Sequence, residues 1–450
     1  MPTPIFGMQG TGRWSAEERP QSWRQELLRN YPRGAMPITA IMSKMGKEKV
    51  GDPAFHWWEK DFVANSAVIT ANRIYTDMIT PTVLAVDNTA AGVTLHLLID
   101  GTAADPLTRY VRPGSDIVFL LSSDYRACVR AVVTNVIRNG TAAEWISFRT
   151  MTADAGVDGY GLTDVDTVIV MPTVFSEFGG VPAPIGYAPS SFYNYTQIIK
   201  SSLGMSRTAM SVQNLRPDSN DWKEAKREAL EILGTQMEWN TIYGIRSEAT
   251  DPSNNQPIRR TMGIRQYIET YGLAANMASY KFDEDFSGKT WLQGGFDWLM
   301  HKAKDLSVYC DLATTLHVVG SGVKLGLTLL AERRGTVRLE PESVEYGLAI
   351  TKLITPFGTF NLVDAPLFNQ SPALQYTWIG IPRGGMTYHT ISDPDYGNSD
   401  VRFLPDPNYG KGGMTHVDGR FDIWLAEYGY ELHRSKEWFM LNHVGEDNAV

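Results

Sequence analysis

The sequence has few of the residues on which disulfide-rich, secreted and membrane-spanning proteins depend. Its 450 residues include only two cysteines, Cys128 and Cys310, which lie far apart and outside any Cys-x-x-Cys spacing. This usage fits buried thiols in a reducing compartment rather than a disulfide framework. No apolar run reaches the ~20 residues that a membrane helix needs, and no basic stretch followed by an apolar one opens the chain as a secretory signal would. We therefore expect a soluble protein that is made in the cytoplasm and has no membrane partner.

Motifs of catalysis and metal binding are also missing. No two of the histidines are four residues apart, as they would be on a zinc-binding helix. No His-Glu-x-x-His, Gly-x-Ser-x-Gly or complete Gly-x-x-x-x-Gly-Lys-Ser/Thr sequence occurs. Neither cysteine lies in a recognisable nucleophile sequence. We therefore predict that the protein is not an enzyme and has no catalytic residue, no metal ligand and no cofactor.

An excess of positive charge is absent as well. The chain has 41 Lys and Arg residues against 50 Asp and Glu residues, a formal net charge of −9, and no basic stripe. A protein that grips phosphates would need such a stripe, so dedicated nucleic-acid binding is not expected. With 43% hydrophobic and 20% charged residues, the chain is typical of a globular protein.

The longest regular pattern predicts a helix from Asp221 to Arg246, which we call the spine helix. One set of mostly apolar residues recurs there at alternating steps of three and four, as on one helix face. The set consists of Trp222, Ala225, Ala229, Ile232, Gln236, Trp239 and Tyr243. The helix would be about 39 Å long at 1.5 Å per residue. We expect Ile232 to be fully buried, and Glu228 and Glu238 to lie on a charged face that meets solvent or a neighbouring subunit.

The chain before the spine helix contains two aromatic and β-branched segments, residues 55–75 and 190–212. They predict the two arms of a long hairpin. The chain between them, from about Thr82 to Pro172, has short apolar runs separated by Gly-rich turns and is predicted to be an inserted all-β domain, a barrel or a sandwich. Residues 1–50 carry single aromatic residues but no core element, so we expect an arm that lies on another surface.

The chain after the spine helix mixes helix and strand patterns. It predicts an amphipathic helix from Trp291 to Leu306 and a hairpin of the strands Gly347–Thr355 and Gly358–Val363. A last alternating strand is predicted between Asp422 and Glu431. The fold class is therefore α+β.

Four short phrases follow one another along the chain. They are Phe55-His-Trp-Trp-Glu59-Lys-Asp61, Asn194-Tyr-Thr196-Gln197-Ile198-Ile199, Glu238-Trp-Asn-Thr-Ile-Tyr-Gly244 and Arg260-Thr-Met262-Gly263-Ile264. In their order and spacing, the chain resembles the major capsid proteins of tailed bacteriophages, which have the HK97-type fold. More narrowly, it is similar to the branch of that family with an inserted β domain in the extended loop. The resemblance covers residues 50 to 450.

The resemblance implies a division of the chain into five parts. These are an N-terminal arm at 1–50, an extended loop at 51–82 and 172–215, an inserted β domain at 83–171, a peripheral domain with the spine helix at 216–300 and 401–450, and an axial domain at 301–400. The implied function is that of a structural subunit that self-assembles into the icosahedral capsid shell of a tailed bacteriophage.

The resemblance also implies partners and a location. The shell would enclose double-stranded DNA without sequence-specific binding, and the chain would contact other copies of itself in hexamers and pentamers. Because the arm is short, scaffolding is expected to be a separate protein, beside portal and decoration proteins. The protein would be part of the virion after assembly in the host cytoplasm.

A shell subunit needs large contacts between copies, and aromatic residues on arms and loops are expected to anchor them. The candidate assembly-interface residues are Trp14, Trp23, Trp57, Trp58, Glu59, Tyr193, Tyr195 and Glu228.

Two alternative functions stay open. One is the shell of a cellular nanocompartment of the same fold, loaded with enzyme instead of DNA. The other is a carbohydrate-binding or hydrolytic protein. The aromatic content allows sugar stacking, but the spacing places no carboxylate pair for glycoside chemistry.

Overall fold

The computed structural model describes most of the chain after the predicted arm. The described residues are 46–60, 65–69, 73–85, 89–100, 107–121, 127–140, 143–154, 161–163, 165–175, 177–180, 184, 186, 189–211, 221–334, 338–345, 348–372, 374–393, 397–398, 400–406 and 419–448. The predicted arm at 1–50, with Trp14 and Trp23, therefore lies outside the described residues except for residues 46–50.

The chain divides into two compact units. Met1–Glu59 and Ser191–Val450 form one, which we call the main unit, and Lys60–Ser190 form the other, which we call the inserted unit. β1 (Lys47–Val50) and β2 (Ala54–Glu59) precede the inserted unit. The strands of the inserted unit are β3 (Ser66–Val68), β4 (Ile74–Asp77), β5 (Thr82–Val83), β6 (Thr94–Ile99), β7 (Ser115–Leu120), β8 (Ala127–Ile137), β9 (Glu144–Thr150) and β10 (Thr167–Thr173).

The described part of the inserted unit is a single antiparallel sheet with one short 3-10 helix at Leu107–Arg109. The strand order is β3-β10-β7-β8-β9-β6-β4-β5. Buried and half-buried residues alternate along β7, as expected when one face of a strand packs on a core. The core is apolar and includes Leu97, Phe119 and Phe148. The prediction of an all-β insertion thus agrees with the described residues.

The inserted unit is wider than the predicted 83–171. Strands β3 and β4, which were predicted as part of the extended loop at 51–82, pair with β10 and β6 inside the sheet. A short alternating β-branched run fits either location, because a hairpin arm and a strand of the inserted sheet need the same pattern. The alternating pattern alone therefore led to the wrong assignment of β3 and β4 to the extended loop.

The main unit contains five α-helices among the described residues. They are α1 (Arg207–Ser211), α2 (Asp221–Tyr243), α3 (Ile264–Tyr271), α4 (Trp291–Leu306) and α5 (Ser321–Arg334). Its strands after the inserted unit are β11 (Ser190–Tyr195), β12 (Gln197–Ser206), β13 (Ser247–Thr250), β14 (Pro257–Arg260), β15 (Met277–Ser279), β16 (Leu316–Val319), β17 (Arg338–Glu345), β18 (Leu348–Thr355), β19 (Gly358–Asp364), β20 (Trp378–Ile381), β21 (Met386–Asp393), β22 (Gly397–Asn398), β23 (Arg402–Leu404), β24 (Gly419–Leu432) and β25 (Phe439–Asn442).

One sheet of the main unit is organised around the long strand β24. Its strand order is β1-β21-β24-β12, with β22 beside β21 and β23 beside β24. β12 is antiparallel to β24 along its whole length, and β1 is parallel to β21 at the edge of the sheet. The predicted strand between Asp422 and Glu431 lies within β24, so that prediction is confirmed. Two small sheets accompany it, β11 with β2 and β13 with β14.

A second sheet separates two hydrophobic cores of the main unit. Its strand order is β15-β25-β20-β16-β19-β18-β17. Successive residues of β16 face opposite sides, because Val318 joins the core that includes the spine helix and Val319 joins the core that includes α4 and α5. The predicted hairpin is confirmed as β18 and β19, and the predicted helix Trp291–Leu306 is α4.

The predicted boundary between a peripheral domain ending at 300 and an axial domain starting at 301 falls inside α4. β15 and β25, which belong to the predicted peripheral domain, pair in the same sheet as the predicted axial strands β16–β20. The chain returns late to this sheet, so a division by sequence position cuts one sheet into two parts.

The spine helix is α2 and ends at Tyr243 rather than at Arg246. It packs against β12 and β24, and the residues that it buries along its middle are Ala229, Leu233 and Met237. Ile232 is 54% exposed, so the prediction that it is fully buried is wrong. It lies one residue, or about 100°, from the buried row, which follows steps of four.

The C-terminal end of the spine helix is buried on a wider face than its middle. Met237, Glu238, Thr241 and Ile242 are all buried there. Glu238, which was predicted on the charged face, is 1% exposed. The predicted charged face therefore holds for Glu228, which is exposed, but not for the last turns.

Candidate functional site

The return of the chain from the inserted unit is held by the side chain of Asn194 in β11. Its Oδ1 accepts a hydrogen bond from the backbone N–H of Met262 at 2.8 Å, and its Nδ2 donates to the backbone carbonyl of Tyr430 at 2.7 Å. The side chain is fully buried. Because an amide has both donors and an acceptor, it satisfies backbone groups of two distant segments at once. Asn194 thus joins β11 to β24 and to the segment after β14.

Gln197, the first residue of β12, makes a parallel connection. Its Oε1 accepts from the backbone N–H of Thr261 at 3.1 Å, and its Nε2 donates to the hydroxyl of Tyr428 at 3.0 Å. Burial raises the pKa of Tyr428 to about 12, so this hydroxyl stays protonated. Gln197 therefore joins β12 to the same two segments that Asn194 contacts, β24 and the segment after β14.

The end of the spine helix meets this network. Oγ1 of Thr241 lies 2.8 Å from the hydroxyl oxygen of Tyr430, and burial raises the pKa of Tyr430 far above its ordinary value. Beyond the helix, the N–H of Gly263 donates to the carbonyl of Gly244 at 2.8 Å. A Cβ on Gly263 would lie 2.6 Å from the Gly244 nitrogen, so the two backbones approach as closely as only glycine allows. We call Asn194, Gln197, Thr241, Thr261, Tyr428 and Tyr430 the junction network.

β2 lies beside β11 as an antiparallel partner. Trp57 stacks on Phe192 with ring centroids 6.0 Å apart, and His56 stacks on Tyr193 at 5.7 Å. The residue number rises on one strand as it falls on the other, which defines the antiparallel register. The chain therefore leaves the main unit at the end of β2 and returns to it at the start of β11, across one strand pair.

Glu59, the last residue of β2, is bonded inside its own chain. Its Oε1 accepts from the Tyr267 hydroxyl and from the backbone N–H of Arg434, both at 2.9 Å. Its Oε2 accepts from the backbone N–H of Ser435 at 3.3 Å. Burial and this carboxylate raise the pKa of Tyr267 far above its ordinary value. Glu59 thus fastens the departing strand, and all four sequence phrases meet in one region of the main unit.

The structure divides the predicted interface residues on β2 into two groups. Trp57 is 6% exposed and Glu59 is engaged within the chain, whereas Trp58 is 67% exposed. Alternation explains the division, because Phe55, Trp57 and Glu59 project toward the core and Trp58 projects away from it. Of this group, the structure leaves Trp58 free to contact a second subunit.

The remaining predicted interface residues differ in their exposure. Tyr193 and Tyr195 are half-buried on β11, and the guanidinium of Arg246 lies 3.8 Å above the Tyr193 ring and donates to its carbonyl at 2.7 Å. Glu228 is exposed on the spine helix. Trp14 and Trp23 lie outside the described residues.

The spine helix also presents apolar residues that the sequence did not identify as a surface. Ile232 is exposed and lies about 40° around the helix from Glu228, whereas Leu230, which is also exposed, lies about 160° from Ile232. An exposed apolar side chain beside a charged one is a candidate contact position. We call Ile232 and Glu228 the outer face of the spine helix.

Cys310 and His317 are two buried groups of types that often act in catalysis. Burial raises the pKa of the Cys310 thiol to about 11, so it is protonated at neutral pH and a poor nucleophile. Burial lowers the pKa of His317 to about 4. Its ring nitrogens meet the Leu312 carbonyl and the Trp378 indole N–H, which leaves none for a substrate.

One group of potential metal ligands was not identified from the sequence. The structure brings together Glu48, His389 and Glu431, although the sequence predicted no metal ligand. They lie on three different strands, so no short-range spacing in the sequence could have identified them.

Comparison with known proteins identifies relatives of the chain. A family model described as SU10 major capsid protein matches residues 34–377. The major capsid protein of Pseudomonas phage PaMx41 is 22% identical over 417 residues, which cover 91% of this chain and 85% of that protein. Within the described part of the chain, no helix has the length and apolar character to cross a membrane.

Solved structures give weaker similarities. A structure from Microbacterium phage Oxtober96 has a TM-score of 0.42 and 7% identity, and covers 94% of this chain and 96% of its own. One from Mycobacterium phage Bobi has a TM-score of 0.41 and 8% identity, with 96% and 94% covered. The SrpI encapsulin complex from Synechococcus elongatus has a TM-score of 0.37 and 10% identity, with 57% and 76% covered. All three TM-scores lie below 0.5 and support no argument.

Proposed function

The chain belongs to the SU10 major capsid protein family and is a major capsid protein of a phage, and we propose that it self-assembles into the icosahedral shell of a tailed bacteriophage around double-stranded DNA. The family match over most of the chain is the observation that carries this proposal. It also confirms the family resemblance that the four phrases of the sequence predicted.

The junction network supports a role in which the extended loop must hold its position. A shell subunit transmits contacts from one copy to the next, so its loop has to leave the body at a fixed place. Asn194 fixes the returning strand and Glu59 fixes the departing one. Both use hydrogen bonds to backbone groups, which hold direction as well as distance.

Contacts between copies are assigned to the exposed residues and to the predicted arm. We expect Trp58 and the outer face of the spine helix to lie against neighbouring subunits in hexamers and pentamers, with Tyr193 and Tyr195 at the margin. Trp14 and Trp23 on the arm are expected to pack on a neighbouring subunit. Trp57 and Glu59 would support this interface from inside their own chain.

The other parts of the proposal follow from the same role. The chain would have no catalytic activity and no cofactor, and its negative charge would let the shell enclose DNA without gripping its phosphates. Separate scaffolding, portal and decoration proteins would act with it. The protein would assemble in the host cytoplasm and remain in the virion.

The test is electron microscopy of the full-length chain purified from cells that also make the other head proteins of its phage. Uniform icosahedral particles that contain double-stranded DNA are expected. Uniform particles that contain protein cargo and no DNA would instead indicate a nanocompartment shell. A chain that stays monomeric under these conditions would contradict the proposal. A matched preparation lacking Met1 to Gly34 should fold but assemble poorly, and normal assembly would show that the arm is dispensable.

A further inference from the structure

The main unit carries a group of potential metal ligands on one face of a sheet. Glu48 of β1, His389 of β21 and Glu431 of β24 each place a ligand atom within 4.8 Å of the other two. Nε2 of His389 is in direct contact with one carboxylate oxygen of Glu431. The group is the only one of its kind among the residues that the structure describes.

The strand register explains why these side chains meet. Glu48 is paired with His389 across the parallel strands β1 and β21, and Thr387 is paired with Glu431 across the antiparallel strands β21 and β24. Thr387 and His389 are two residues apart on one strand, so their side chains project from the same face of the sheet. Three strands therefore present one imidazole and two carboxylates on a single face.

An aromatic wall shields the imidazole. The ring centroid of Phe55 lies 4.6 Å from that of His389. The residue of β24 opposite His389 is Gly429, where a Cβ would lie 2.6 Å from a Phe55 ring carbon. His389 is 3% exposed, and its Nδ1 has no hydrogen-bond partner in the described part of the chain. The ring is thus buried against Phe55, and its Nε2 is the nitrogen that meets the Glu431 carboxylate.

We propose that Glu48, His389 and Glu431 bind one divalent transition-metal ion, with Zn²⁺ as the best fit. One imidazole nitrogen with two carboxylate oxygens is a donor set that Zn²⁺ accepts, whereas Mg²⁺ and Ca²⁺ prefer oxygen donors alone. The ion would take the place of the proton between His389 and Glu431 and would neutralise the two carboxylates. Because Glu48 is exposed, water can complete the coordination.

The imidazole of His433 lies beside the Glu431 carboxylate. Nε2 of His433 lies 3.6 Å from Oε1 of Glu431, the oxygen that does not contact His389. The hydroxyl of Thr387 lies 3.2 Å from the same His433 nitrogen. At 3.6 Å this separation is an ion-pair contact rather than a hydrogen bond.

A bound ion would hold the edge strand β1 on its sheet. β1 is the described end of the predicted arm, and among the described strands it pairs with β21 at the edge of the sheet. An ion held by β1, β21 and β24 binds only when β1 is docked, so it stabilises the docked strand by mass action.

The test uses the full-length chain, treated with EDTA and dialysed into metal-free buffer. Zn²⁺ is titrated in competition with a chromogenic zinc indicator, and the metal retained after desalting is measured by mass spectrometry. We expect one Zn²⁺ per chain and, with Co²⁺ in its place, visible absorption bands of a protein-bound ion. Hydrogen exchange of residues 46–50 should slow when Zn²⁺ is added.

Glu48→Gln is the deciding variant, because Glu48 is exposed and its replacement leaves the His389–Glu431 contact in place. We expect its Zn²⁺ affinity to fall at least about tenfold, since even changes in partners behind the ligands cost 10–100-fold. His389→Gln should lose the site. The matched control is His301→Gln, which changes an exposed histidine on α4 and should bind Zn²⁺ like the unaltered chain.

Three results would overturn the proposal. The first is an unaltered chain that retains no more Zn²⁺ than His389→Gln. The second is a Glu48→Gln chain that binds as tightly as the unaltered one. The third is displacement of Zn²⁺ by an equal concentration of Mg²⁺, because the imidazole nitrogen would then contribute nothing to selectivity. The Glu48→Gln result decides the matter even if His389→Gln fails to fold.

Discussion

The inserted unit and the main unit are stabilised in different ways. The described core of the inserted unit is built from apolar side chains on strands that pair as neighbours, such as Leu97 on β6 and Phe148 on β9. The main unit has apolar cores too, and both units bury polar groups. In the inserted unit, Glu144 accepts from the Thr108 hydroxyl 36 residues away, whereas the network of the main unit joins much more distant segments. Asn194 and Tyr430, which share a hydrogen bond in that network, are 236 residues apart in the sequence.

This difference determines which substitutions each unit tolerates. A sheet with an apolar core can exchange one apolar side chain for another of similar volume at small cost. A buried hydrogen-bond network cannot lose one member without leaving another unsatisfied. The main unit therefore depends on residues that are distant in sequence, and the inserted unit depends on its own strands.

The largest expected effect tests whether the two units unfold separately. Leu233→Ala in the spine helix and Leu97→Ala in β6 both truncate fully buried leucines. Each should cost roughly 2–5 kcal/mol through lost burial and a cavity. Because the two leucines belong to separate cores, hydrogen exchange should accelerate only in the unit that carries the change.

The comparison fails if Leu97→Ala accelerates exchange throughout the main unit as much as in its own sheet. The two units would then unfold as one cooperative body. Thr94→Ala, at an exposed position of the same strand, serves as the control and should change exchange little.

The second prediction sharpens the comparison through pH. His317 is buried in the main unit, and burial lowers its pKa from 6.5 to about 4. The unfolded chain binds a proton at this residue below about pH 6.5 that the folded chain does not bind until about pH 4. The free energy of unfolding should therefore fall as the pH falls through this window, by up to about 1.4 kcal/mol per pH unit from this one group.

The inserted unit should respond at lower pH. Burial raises the pKa of Glu144, but hydrogen bonds from the Thr108 hydroxyl and from the backbone of Gly140 and Asn139 outweigh it, so the net pKa lies below 4.5. A carboxyl with a lowered pKa contributes stability that is lost only as the pH falls below its ordinary value.

Hydrogen exchange of both units between pH 7 and pH 4 measures this difference. The main unit should lose protection first, and His317→Gln should flatten its dependence on pH. Earlier loss in the inserted unit would contradict the assignment. An unchanged slope in His317→Gln would show that other groups control the main unit.

The third prediction concerns the junction network. Asn194→Ala leaves the N–H of Met262 and the carbonyl of Tyr430 without their side-chain partner, and should cost about 1–3 kcal/mol. Asn254→Ala, in an exposed turn, should cost much less and is the control. Urea denaturation of the unassembled subunits measures both. Equal midpoints for the two variants would mean that the network contributes nothing to the stability of the main unit.

Local patterns in the sequence predicted the elements that depend on local interactions. α4 was predicted with its observed ends because its apolar residues keep a helical period. In the structure the N–H of Thr290 donates to Oε1 of Gln293 at the start of the helix. The hairpin of β18 and β19 was predicted because Gly358 allows the tight turn between two apolar strands, with φ of 148°.

The features that the sequence did not predict depend on contacts between segments that are distant in the chain. The spine helix carries two neighbouring apolar rows, and only the strands β12 and β24 determine that Leu233 faces inward and Ile232 outward. The Glu48, His389 and Glu431 group arises from the register of three strands. Neither the rotation of a helix nor the order of strands in a sheet is encoded in a short window of sequence.

The smallest effect on the isolated subunit is expected at the outer face of the spine helix. Ile232 is half exposed and Glu228 is exposed, so Ile232→Ala should cost no more than about 1 kcal/mol and Glu228→Ala no more than about 0.5 kcal/mol. Assembly should respond more strongly than folding. Loss of an apolar contact at Ile232 weakens a subunit interface, and loss of the Glu228 charge alters its register and pairing. The measurements are urea midpoints of unassembled subunits and then the yield of assembled particles.

If Ile232→Ala destabilises the unassembled subunit as much as Leu233→Ala does, the helix is rotated from the orientation described. If both outer-face variants assemble like the unaltered chain, this face lies against solvent in the shell and the interface must be sought elsewhere.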